Sequence, residues 1–165
     1  MRHADRPSVE EHLDVAAPPD RIWPLISDIT FPVRPDSELL AAEWVDGADD
    51  EPRVGRRFVG TNANRHFGKW QTTSTVIECE PPRVFAWAVG DPSEPNTTWR
   101  FTLEPLGAGT RVWQWVQLGV GPSGLSVAIE RMPDKEERIV ARRLEEFRAA
   151  MRANLEAVRH AAEPG

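Results

Sequence analysis

The chain has one cysteine, no tyrosine, no surplus of positive charge and no long apolar run among its 165 residues. With Cys79 alone, no intramolecular disulfide and no metal centre built on cysteines is possible. A net charge of −6 argues against a general nucleic-acid binder, which needs a basic face. No apolar stretch approaches the roughly 18 residues of a membrane-spanning helix. Residues 1–8 carry charge without an apolar segment after them, so no secretory signal is read and the cytoplasm is expected. His3, His12, His66 and His160 are far apart, and there is no HExxH, CxxC, phosphate loop or nucleophile elbow. Neither metal nor cofactor is expected.

What is present is 40% apolar and 28% charged, as in a soluble globular chain, with seven tryptophans carrying much of the aromatic weight. The length suits one domain over 1–165, with residues 1–7 as a flexible tail. The clearest element runs from Asp134 to about Ala162. There Val140, Leu144, Phe147, Met151, Leu155 and Val158 alternate steps of three and four, one stripe of an α-helix. Asp134, three residues before Glu137, is placed to cap its first turn. Arg142 meets Glu145 and Glu146 on the polar face. At about 1.5 Å per residue the helix is roughly 40 Å long, enough to cross a small domain.

Nearly everything before it alternates like strand. Val9, Leu13 and Val15 form a first half-buried face; Glu11 shares their parity and either points inward or sits at a frayed mouth. Ile22–Ile29 reads as a short helix distorted by Pro24, and Thr30–Asp36, with two prolines, as a broken second one. Leu40, Ala42 and Trp44 mark the next strand, followed by an acidic turn at Ala48–Pro52. One face each is then presented by Phe58, Gly60 and Asn62; by Trp70, Thr72, Ser74 and Val76; by Phe85, Trp87 and Val89; and by Trp99, Phe101 and Leu103. A seventh strand runs from Thr110 to about Val120, and Leu125–Met132 is a lid or a preliminary helical turn. The fold class expected is α+β. A strongly curved antiparallel sheet of six to seven strands wraps one long C-terminal helix, with two short helices after the first strand. One helix cannot fill such a concavity, so a cavity between sheet and helix is expected.

Short motifs spread along the chain carry a resemblance. Ala16-Ala17-Pro18-Pro19-Asp20-Arg21-Ile22-Trp23, followed by Asp28, resembles the opening of the START-like (SRPBCC) superfamily, in its polyketide cyclase/dehydrase branch. Val54-Gly55-Arg56-Arg57-Phe58, Trp70 through Val76, Glu80-Pro81-Pro82 and Gly109-Thr110-Arg111-Val112 match its later signatures in the same order. The resemblance implies the helix-grip fold around an internal hydrophobic pocket. It leaves function open, because the superfamily includes lipid carriers, hormone receptors and aromatase/cyclases.

By strand and helix parity, the candidate ligand-binding residues are Phe58, Asn62, Trp70, Thr72, Ser74, Phe85, Trp87, Trp99 and Phe101 from the sheet. Leu144, Phe147 and Met151 join them from the helix. Asn62, Thr72 and Ser74 are polar on a buried face and need partners there. The resemblance implies that aromatase/cyclase members use an arginine near the position of Asn62, together with tyrosine hydroxyls. Here Asn62, Arg65 and His66 are the only catalytic candidates, and there is no tyrosine to help stabilise an enolate. The leading reading is therefore a binding protein for a small hydrophobic or aromatic molecule. A polyketide cyclase/dehydrase-type enzyme is the alternative. A protein-interaction module is a third, using Trp113 and Trp115 on the convex face, with a homodimer through them as one form of it. The two indoles point outward if Val112 points in; otherwise they narrow the cavity.

Overall fold

The computed structural model describes residues 1–47 and 49–164. Seven strands follow the chain: β1 (Ser8–Val15), β2 (Leu39–Trp44), β3 (Arg57–Asn64), β4 (Gly68–Glu80), β5 (Val84–Val89), β6 (Thr97–Leu106) and β7 (Gly109–Leu118). They form one antiparallel sheet in the order β1-β7-β6-β5-β4-β3-β2, so every pairing but one is a hairpin between consecutive strands. The exception brings the first strand beside the last. Helix α1 (Pro19–Ile26) follows β1, α2 (Gly124–Arg131) follows β7, and α3 (Glu136–Ala162) crosses the curved sheet. Among the described residues no helix is long and apolar enough to cross a membrane.

The period-two pattern sets the facing of the strands. In β7, Val112, Gln114, Val116 and Leu118 are buried, while Trp113, Trp115 and Gln117 alternate on the outer face. A bulge between Val76 and Glu78 shifts the parity of β4. Beyond it Cys79 joins the core and Glu78 turns outward to pair with Arg100 at 2.9 Å.

Helix α3 packs chiefly on β1, towards one edge of the sheet, rather than down the middle of the concavity. Its residues Val140, Met151, Leu155 and Val158 are almost wholly buried. Glu11 of β1 faces this helix, taking Arg152 at 2.9 Å and Arg148 at 3.6 Å, which accounts for its inward parity. The core is split into two clusters. One gathers α1, Phe85, Phe101, Leu103 and the end of α3; the other gathers Leu125 of α2, Val116, Leu118 and the first half of α3.

Several local expectations change. Asp134 does not cap α3: Pro133–Lys135 forms a 3-10 turn and the helix starts at Glu136, its N-cap Lys135 making no side-chain hydrogen bond. Only one helix follows β1, and the second expected there is a run of turns. Pro32 and Pro35 lack an N–H and drive the residues before them out of helical backbone, so the segment closes instead by Phe31 N–H to Asp28 C=O, Val33 N–H to Thr30 C=O and Ser37 N–H to Arg34 C=O. Pro24 lies inside α1 without ending it. Leu125–Met132 is helical because Ser123 and Ser126 exchange hydrogen bonds as a capping box (3.2 and 2.9 Å). At the N-terminus, His3–Asp5 makes a 3-10 turn tied to α3: the His3 N–H donates to Glu136 at 2.8 Å, and Arg2 pairs with the same carboxylate at 3.1 Å. The acidic turn at Ala48–Pro52 begins at Ala48, outside the described residues.

Candidate functional site

Because α3 lies towards the β1 side, the concavity in front of β3 to β6 stays unfilled, and a cavity of about 680 Å³ occupies it. Its floor is the inward face of the sheet: Phe58, Gly60, Asn62, Thr72, Ser74, Phe85, Trp87, Val89, Trp99, Phe101 and Gln114. No side chain on this floor is ionisable. The cavity lies between the two core clusters, and aromatic rings bridge them. Trp87 and Trp99 stack almost in parallel, with centroids 6.3 Å apart and planes 10° from each other. Trp99 meets Phe147 of α3 edge-on at 5.0 Å, and Trp87 touches the rings of Phe58, Phe85 and Phe101.

The flank of α3 beside its apolar stripe supplies the opposite wall: Glu146, Phe147, Ala149, Ala150, Ala153 and Asn154. Three alanines there keep the helix from filling the space. The α1–β2 segment forms the rim with Phe31, Pro32, Arg34 and Glu38, and two contacts fasten it to α3. Arg143 donates twice to Glu38, at 2.7 and 2.9 Å, and once to Glu146, at 3.0 Å. Burial opposes the charge of Arg143, but these two carboxylates outweigh it and hold the guanidinium above its ordinary value. The second fastening is Arg34, which donates to Asn154 Oδ1 at 2.5 Å; Asn154 Nδ2 in turn donates to Gln114 Oε1 at 3.3 Å.

Of the residues singled out from the sequence, Phe58, Asn62, Thr72, Ser74, Phe85, Trp87, Trp99, Phe101 and Phe147 all line this one cavity. Trp70, Leu144 and Met151 do not. Trp70 has the right parity but sits near the β3–β4 hairpin, opposite Asn62, where it packs edge-on against Phe67. That phenyl ring is held against the start of α2 so closely that a Cβ on Gly124 would come within 2.9 Å of it. Met151 is fully buried with Val9 and Val116, on the side of α3 turned to β1 and β7, and Leu144 packs on the same cluster. Arg65 and His66 are exposed at the hairpin tip, the His66 N–H donating to Asn64 Oδ1 at 2.9 Å, so they do not converge with Asn62 on the cavity. Arg34, Gln114 and Asn154 were not found by parity or motif. Gln114 does share the parity of Val112 and Val116, which is the signal that marks it.

Elsewhere, burial first and then the Glu51 charge push the Cys79 thiol up, which disfavours a thiolate nucleophile; the sequence neighbours Glu78 and Glu80 are not the cause. On the outer face, Arg100 lies 4.7 Å over the Trp115 ring, while Trp113 contacts His12 at 4.4 Å and donates its indole N–H to Glu104 at 3.4 Å.

Comparison with known proteins agrees with this architecture. Residues 6–163 match the family model described as polyketide cyclase / dehydrase and lipid transport. No curated protein matches the sequence. Among solved structures, the Polyketide_cyc-like protein Cgl2372 from Corynebacterium glutamicum is 29% identical with a TM-score of 0.61, over 94% of this chain and 89% of that one. Protein CV1439 from Chromobacterium violaceum is 17% identical with a TM-score of 0.61, over 96% and 98%. The di-domain ARO/CYC StfQ from the steffimycin biosynthetic pathway is 15% identical with a TM-score of 0.69, over 94% of this chain and 50% of that one. The last two likenesses are of fold alone.

Proposed function

The chain belongs to the polyketide cyclase/dehydrase and lipid transport family, and from that premise we propose that it encloses a small hydrophobic or aromatic molecule in the cavity between sheet and α3. One observation carries the reading: the cavity floor is built of six-membered and indole rings with neutral polar groups and has no ionisable side chain. Such a surface favours stacking and shape, and it offers no acid or base at the depth where an enclosed substrate would react. Phe58, Asn62, Thr72, Ser74, Phe85, Trp87, Trp99, Phe101 and Phe147 are the proposed ligand contacts.

The competing reading is a cyclase or dehydratase acting on an aromatic or polyketide-like substrate. Asn62, Thr72 and Ser74 on the cavity wall favour it, as groups able to hold a substrate oxygen. The exposure of Arg65 and His66 weighs against it. The interaction reading is weaker again, since Arg100, His12 and Glu104 already cover Trp113 and Trp115.

Titration with the neutral fluorophore 1-pyrenebutanol tests enclosure, because Trp87 and Trp99 would pass excitation energy to a bound pyrene. Saturable one-site binding is expected in the parent, and its loss in Ala153→Trp, which fills the wall of the cavity. A parent with no saturable binding would overturn the reading. Turnover of a polyketide-like substrate by the parent, abolished in Asn62→Ala, would replace it with the enzyme.

A further inference from the structure

The hydrogen bonds along the cavity wall run in one direction, and Arg34 sets it. A guanidinium only donates, so Asn154 must turn its oxygen to Arg34 and its amide nitrogen away. That nitrogen donates to Gln114, which must therefore present its oxygen, leaving its own amide N–H groups as the far end of the row. Asn154 is 6% exposed and Gln114 1% exposed, so neither amide can readily be reoriented by water. The row thus ends in donors at both ends, the cation at the rim and a neutral amide on the floor, and all three residues line the cavity.

Among the described residues Arg34 has no counter-ion: no carboxylate pairs with it, and its partners are the Asn154 side chain and the Phe31 carbonyl at 3.4 Å. Desolvation is the one influence that lowers its basicity, and an arginine remains charged regardless. The acidic groups on the same rim are otherwise engaged: Glu38 and Glu146 with Arg143, and Asp28 with the hydroxyl and N–H of Thr30 (2.7 and 2.9 Å). Asp36 is exposed on the outer rim. A half-buried cation whose partners among the described residues are all neutral, above a floor of indole rings, is complementary to an anion carried on an aromatic body.

We infer that the enclosed molecule is an aromatic carboxylic acid, its carboxylate on Arg34, its rings along Trp87 and Trp99, and a second oxygen within reach of the Gln114 amide. This rests on the enclosure reading and narrows its ligand to one chemical class.

The test compares 1-pyrenebutanoate with 1-pyrenebutanol, which share one ring system and differ in the anion. The parent should bind the carboxylate about tenfold or more tightly than the alcohol, the scale of one charge-assisted hydrogen bond. In Arg34→Gln that preference, read as the ratio of the two affinities, should fall to within about twofold. Asn154→Asp provides an independent check that keeps Arg34 in place: it supplies the missing counter-ion and should also abolish the preference. Equal affinities in the parent, or a preference that survives both variants, would overturn the inference with enclosure intact. If neither compound binds, enclosure fails and this inference with it. Dodecanoate that competes as well as 1-pyrenebutanoate would overturn the aromatic assignment.

Discussion

Asn154 lies where α3 changes from packing to lining, three residues past the fully buried Met151 and one before Leu155. It holds Arg34 and Gln114 together, so truncating it leaves two polar groups without a partner. Asn154→Leu is expected to cost about 1–3 kcal/mol in urea unfolding, as buried groups stripped of a hydrogen bond do. Gln114→Leu should cost a similar amount, but the double variant less than the sum, because the second substitution removes a group the first had already orphaned. Strict additivity in that cycle would mean the bond contributes nothing. The sequence made Gln114 findable by strand parity. Asn154 was hidden because the stripe rule selects the centre of a helix face, whereas a cavity touches its flank. Arg34 was hidden for a different reason: it lies between two prolines in a segment with no period at all, and only the tertiary contact to Asn154 assigns it a place.

For whole elements the sequence was most legible where one period rules. Alternation gave the strands and set Trp113 and Trp115 on the face opposite Val112, while the structure shows which of those faces is outward; the three-four spacing gave α3. It was least legible at ends: the Pro133–Lys135 turn displaced the expected cap, and a serine capping box made α2 from the stretch that read as either a lid or a preliminary helical turn. Which edge of the sheet α3 grips was not legible either, since its stripe says what is buried but not against which strands. That is why Met151 and Leu144 lie in the core rather than on the cavity. The outer face of β7 gives a prediction of its own. With Arg100 over Trp115 and His12 against Trp113, the indoles already have intramolecular cover. Sedimentation should show the parent and a Trp113→Ser/Trp115→Ser variant as the same monomeric species at high concentration. A parent dimer that the variant loses would instead identify this face as a homodimer interface.

Across the whole molecule, acid should weaken the fold through carboxylates far from the cavity. A hydrogen bond from Arg111 holds Asp14 below the usual carboxylate range; the Glu51 N–H does so for Asp49, and the Ser93 hydroxyl for Asp91. Each is thus depressed in the folded state relative to the unfolded chain. Their contribution is present above about pH 4, the ordinary carboxylate value, and disappears as pH falls through the lower folded values. An Asp14→Asn/Asp49→Asn/Asp91→Asn variant should be less stable at neutral pH and lose less on acidification than the parent. An acid limb as steep as the parent's would assign the loss to other groups. The order of the strands has a consequence in time. Every hairpin from β2 to β7 can form as its residues are made, but β1 can pair only with β7, Val9 opposite Val116, about a hundred residues later. Closing so long a loop makes that pairing a late event, and until it happens the first strand is an open edge, exposed to association with other chains. During synthesis the opening of the chain must therefore wait for its far end. A polypeptide halted after Leu106 should show no native-like amide dispersion in its first fifteen residues.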